Sequence, residues 1–158
     1  MPVNVNGRVM AIHVAATAES PMARVDAVRA IPGQGLEGDR YATRTGTFSQ
    51  RAGSGREVTL IEAEALDALA RDYDIEFDPG ESRRNVVTRG IALNHLVGRE
   101  FTVGEVTLRG VRLCEPCSHL EALTRRGVLK ALTHRGGLRA DIVVGGVIHV
   151  GDAAAPKP

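Results

Sequence analysis

Two cysteines, Cys114 and Cys117, stand three residues apart in the run LCEPCSHL, between an alternating apolar segment and what reads as the start of a helix. They are the side chains best able to do covalent chemistry. A thiolate is both a nucleophile and a soft metal ligand, and a helix N-terminus or nearby cations favour it. Three functional readings share this spacing: a redox pair, part of a zinc site, or one nucleophilic thiolate beside a structural cysteine. The redox fold needs an alternating βαβ pattern that this sequence lacks. Zinc needs four ligands, and no second C-x-x-C is present. His119 and His134 could complete such a set with the cysteines only at loose spacing. Two inert buried thiols are the plain structural alternative. Local pattern leaves these readings open.

Other groups could line a site around a thiolate. GQGLEG at 33–38 satisfies G-x-G-x-x-G, yet no helical apolar period follows it, so a dinucleotide site is excluded. A tight glycine turn remains, with Asp39 and Arg40 just beyond it. Of the 20 cationic residues only Lys130 and Lys157 are lysines. Arginine grips carboxylates and phosphates with a planar fork, although a compositional bias would give the same count. Arg84 and Asn85 begin a strand in ESRRNVVTRG, and Arg135 and Arg139 flank two glycines in HRGGLRA. His119, two residues after Cys117, could help hold a thiolate. His13 and His149 sit in apolar strand contexts and read as core or edge residues.

The elements that must position these residues are mostly strands. Strands are expected at 8–15, 23–31, 58–61, 85–88, 101–103, 106–113, 140–144 and 147–150. A helix is expected over 62–73, with Leu66, Leu69, Ala70 and Tyr73 on one face. A short helical turn is expected at 93–97, and one or two short helices within 118–134. The stretch 32–57 reads as irregular, and its part from Thr43 to Gly55 is expected to be mobile without ligand. Many short strands and few helices predict a mostly β (α+β) fold, a partly closed β-barrel with peripheral short helices. One domain over 1–158 is expected, with 152–158 as a flexible tail.

Composition narrows the function classes. A net charge of +1, 3% aromatics and no tryptophan argue against a nucleic-acid binder. No run approaches the roughly 20 apolar residues that span a membrane, and the first residues lack a leader pattern, so a cytoplasmic location is expected.

Taken in order, GLEGDRY (35–41), EVTLIEAEAL (57–66), RRNVVTRGIALNHLVGREFTVG (83–104), LCEPCSHL (113–120), LTHRGGLRADIVVGG (132–146) and IHVGD (148–152) resemble the MOSC domain family. That module is found at the C-terminus of molybdenum-cofactor sulfurases. The resemblance implies a β-rich barrel that handles molybdenum or sulfur through a cysteine at the position of Cys117. It implies either of two activities. One is a sulfur carrier, loaded by a cysteine desulfurase and unloaded onto a molybdoenzyme acceptor. The other is a molybdenum-pterin oxidoreductase with Cys117 as metal ligand, acting on small N- or S-oxygenated compounds. A non-enzymatic cofactor-binding protein is a third reading. Arg84, Asn85, Arg135 and Arg139 would hold the pterin phosphate of a molybdenum cofactor, with Asp39 and Arg40 lining the site. Neither lysine suits a Schiff base, so pyridoxal phosphate is not expected on this chain.

Overall fold

The computed structural model describes residues 6–17, 19–40, 42, 55–116, 120, 124 and 126–158. Its centre is β1 (Gly7–Val14), an alternating strand with partners on both sides. A β-bulge between Val9 and Ala11 resets the alternation. Val9 and Ile12 therefore both face the interior, while Ala11 joins the outer layer.

The first expected hairpin partner is two strands. β2 (Ala23–Val25) pairs with β1, and β3 (Ala27–Ile31) leaves it. The chain changes partner at Asp26, whose carbonyl accepts the Val150 N–H at 2.9 Å. From there β3 pairs with β10 (Gly146–His149) and with β4 (Gly35–Leu36), a short strand inside the stretch expected to be irregular. Leu36 is fully buried, as is Ile148, and this small sheet packs onto the barrel core.

β5 (Val58–Glu62) and β6 (Val86–Arg89) are the parallel pair, joined by a crossover that carries helix α1 (Ala63–Tyr73). β7 (Glu100–Val103), β8 (Val106–Leu113), β9 (Leu138–Val144) and β11 (Ala153–Pro156) complete the wall. The order β1-β6-β5-β9-β8-β7-β11 returns to β1, so seven strands close a barrel and β2 hangs on its outside. The interior holds Leu60, Val86, Phe101, Leu108 and Leu138, all fully buried. The mostly β barrel with few helices is as expected. Closure goes further, because residues 153–156 are not a loose tail. They form a strand between β7 and β1, with Ala154 buried in the core.

On the outer face of β5 and β6, α1 buries Ala65, Leu66 and Leu69 against Ile61 and Val87. Its buried face is turned from the expected one, and Tyr73 is 42% exposed. The helix ends at Asp74 in a left-handed conformation, and Ile75 and Phe77 beyond it pack against the same outer layer. Val128–Ala131, here α2, is one helical turn within the segment expected to be helical. No helix among the described residues is long and apolar enough to cross a membrane.

Candidate functional site

The cysteine run leaves the barrel at the end of β8. Leu113 pairs with Leu138, and Cys114 extends that ladder by donating its N–H to the Gly137 carbonyl at 2.7 Å. Cys114 is 1% exposed. Two glycines permit this close approach. A Cβ on Gly136 would collide with the Cys114 carbonyl and crowd Pro116, and one on Gly137 would collide with the Leu60 carbonyl. Gly137 also has φ 111°, where side chains other than glycine's are strained. The segments HRGG and CEP thus pack backbone against backbone.

Side chains then tie the two segments. Arg84 is 8% exposed; its Nε donates to the Gly136 carbonyl at 2.7 Å and its Nη2 to the Cys114 carbonyl at 3.0 Å. Glu115 reaches the opposite way. Its carboxylate accepts the His134 N–H at 2.7 Å and lies 2.8 Å from His134 Nδ1. His134 has φ 63°, uncommon for a non-glycine residue, and its carbonyl accepts Asn94 Nδ2 at 2.9 Å.

Asn85 is fully buried and joins three strands. Its Oδ1 accepts the Thr59 N–H at 3.0 Å and the Thr59 hydroxyl at 3.1 Å, and its Nδ2 donates to the His13 carbonyl at 3.1 Å. Thr59 faces Arg139 on β9, which faces Arg112 on β8. Arg139 therefore belongs to a polar row on the outside of the barrel, next to Thr59. Asp39 and Arg40 form a buried ion pair at 3.1 Å. Asp39 also accepts the Ala15 N–H at 3.0 Å, and Arg40 Nη2 donates to the Arg83 carbonyl at 3.0 Å.

Arg135 is half-buried and lines an open polar cleft of about 370 Å³ with Glu62, Glu64, Asn94 and His134. Burial pushes the Glu62 carboxyl up, against the Leu93 N–H that stabilises its ionised form. Cys117 and His119 lie outside the described residues, as do residues 43–54 of the segment expected to be mobile. The structure brings Arg84 and the neighbourhood of Arg135 to the cysteine run. Arg139 and Asn85 belong to the outer polar row, and Asp39 and Arg40 reach Arg83. Sequence reasoning missed the Glu115–His134 link, for which the two glycines after Arg135 were the available signal of close approach.

A pterin phosphate needs open donors. Arg84, Asn85, Asp39 and Arg40, expected to line such a site, are buried and bonded to main-chain groups or to each other. As placed they do not fit that group. Among the described residues no three His, Cys, Asp or Glu side chains gather at metal-ligand distance.

Fold and site together define a closed β-barrel domain that carries its cysteine run at the end of a barrel strand. The family model for the MOSC domain matches residues 47–155, and the chain belongs to the MOSC domain family, which is associated with the molybdenum cofactor. The YuaD protein of Bacillus subtilis is similar in structure, with a TM-score of 0.78, 14% identity and 94% of each chain covered. YiiM of Geobacillus stearothermophilus gives a TM-score of 0.72 at 15% identity, covering 96% of this chain and 75% of that one. YiiM of Escherichia coli gives 0.67 at 17%, covering 96% and 70%. At these identities the likeness is one of fold. No curated protein matches the sequence.

Proposed function

We propose that this chain is a sulfur carrier that bears sulfane sulfur on Cys117. The observation that carries the reading is the burial of Cys114, at 1% exposure and with its N–H and carbonyl both engaged. An incoming donor must reach the sulfur it meets, so the buried Cys114 is a poor first partner, which favours Cys117 as the sulfur that meets it. In the proposed loading step the Cys117 thiolate attacks the outer sulfur of a donor persulfide, R–S–SH. The S–S bond breaks, R–S⁻ leaves, and Cys117–S–SH forms, with no net oxidation. The donor class is a cysteine desulfurase persulfide, and the acceptor a molybdenum centre in a second protein.

The test is intact-mass analysis after incubation with a desulfurase and cysteine, run beside metal analysis of the purified protein. A gain of one sulfur atom, lost in Cys117→Ser and kept in Cys114→Ser, is the expected result. Stoichiometric molybdenum with no sulfur adduct would instead favour Cys117 as a metal ligand in a reductase. Zinc at one equivalent, with equal loss in both cysteine variants, would favour a metal site.

A further inference from the structure

We infer that the outer face of the barrel carries a binding site of its own, an apolar groove that takes a small monoanion with a hydrophobic body, such as an aryl or alkyl carboxylate. The inference is independent of the sulfur-carrier reading and uses no residue of the cysteine run. The groove has a volume of about 480 Å³ and is lined by α1, by β1, β2 and β6, and by the connection that follows α1. That volume lies in the range of small-molecule sites, about 300–1,000 Å³. Its depth follows from where the chain puts small side chains. Ala11 and Val87, both buried, line it from the sheet, while Ala63 and Ala70 line it from the helix. Alanine on both layers leaves room that larger side chains would have filled. Leu66 and the half-buried Phe77 add apolar wall. Met10 lines the groove while 42% exposed, and a flexible thioether adapts to the shape of an apolar guest.

Charge selects what that guest carries. Arg89 is matched within the groove by Asp67, at 3.0 Å. Arg24 is not matched. It stands opposite His13 on the β1–β2 ladder, projects from the same outer face, and makes no side-chain hydrogen bond or ion pair among the described residues. Glu76, the remaining charged residue of the lining, opposes a second negative charge, so the site favours a monoanion. A neutral apolar molecule would be buried but leave Arg24 without a partner. A small polar anion would meet Arg24 but forgo Met10, Leu66 and Phe77. A guest with both parts uses the whole groove, through apolar burial and a charge-assisted hydrogen bond.

The experiment titrates the full chain with 1-naphthoate and with its neutral counterpart 1-naphthylmethanol, followed by calorimetry and by backbone amide NMR. Octanoate serves as a second monoanion, so that the fit of one ring system does not decide the outcome. Binding of at least one anion with Kd below about 1 mM is expected, with amide shifts gathered on Met10, Ala11, Leu66 and Phe77. Arg24→Gln is expected to weaken the anion about tenfold, as loss of one charge-assisted hydrogen bond would, and to leave the alcohol unchanged. Ala70→Leu, at an exposed helix position of the lining, is expected to abolish binding of both by filling the space. Added salt gives a measure that needs no variant: it is expected to weaken the anion and spare the alcohol. No saturable binding of either anion overturns the inference. So do shifts that map to another face, or an anion affinity that responds neither to salt nor to Arg24→Gln.

Discussion

Glu57 and Asp141 fasten the two ends of the connection that runs from 33 to 55. Glu57 Oε1 accepts the Gly33 N–H at 3.0 Å and the Ile142 N–H at 3.1 Å, and Asp141 Oδ1 accepts the Gly55 N–H at 2.6 Å. Burial pushes the Glu57 carboxyl up, with its carboxyl neighbour Asp141 adding to that and the two N–H groups opposing it. A raised acid binds more protons folded than unfolded, so its contribution is present at low pH and is lost as pH rises through the raised value. Glu57→Gln keeps the accepting oxygen and removes the ionisation. Its Tm is expected to exceed that of the wild type at pH 7 and to match it near pH 4, as thermal scans across that range would show. His13 has the opposite sign. Burial, with Arg24 across the strand pair, holds its ring below the usual histidine value, and its buried Nδ1 has no hydrogen-bond partner. The unfolded chain takes up the proton first, so stability falls as pH drops below about 6.5. His13→Phe is expected to flatten the wild-type loss of Tm between about pH 7 and 5.

At the scale of elements, β11 shows what sequence pattern leaves out. Its residues, Ala153–Pro156, contain no β-branched side chain and end in proline, so nothing local announces a strand. The pairing comes from outside, from two edges that β1 and β7 leave open. Ala154→Asp places an unpaired carboxylate in the core and is expected to cost about 3 kcal/mol or more in urea denaturation. An unchanged midpoint would mean that the strand is dispensable. Strands with their own alternation, expected at 8–15, 101–103 and 106–113, were legible because half their residues must face an apolar interior. The break at Asp26 was not, since a change of partner leaves no mark in local hydropathy. The site divides the same way. The cysteine run was legible as a thiol that could do chemistry, with Cys117 itself outside the described residues, whereas the arginines were legible only as charge. That Arg84 and Arg40 would serve main-chain carbonyls depends on loops meeting across more than 40 residues of chain.

Across the whole molecule, these buried groups form one chain of bonds. The end of β1 at Ala15 holds Asp39, Asp39 holds Arg40, and Arg40 holds the carbonyl of Arg83, next to the arginine that clamps the cysteine run. Removing one charge strips the other of its buried ion-pair partner. Asp39→Asn is therefore expected to lower stability by about 3 kcal/mol, measured by chemical denaturation, with a loss under 1 kcal/mol counting against a structural role for the pair. The closing contact of the barrel has a further consequence, in time rather than in space. Gly7 is paired with Ala154, so a ribosome delivers the first strand long before the strand that seals it. Between the synthesis of β7 and that of β11 the nascent chain carries two open β edges, on β1 and β7. Those edges are templates for strand addition by a neighbouring chain. The vulnerable interval is therefore the stretch of synthesis that precedes β11, and it ends when that strand leaves the exit tunnel.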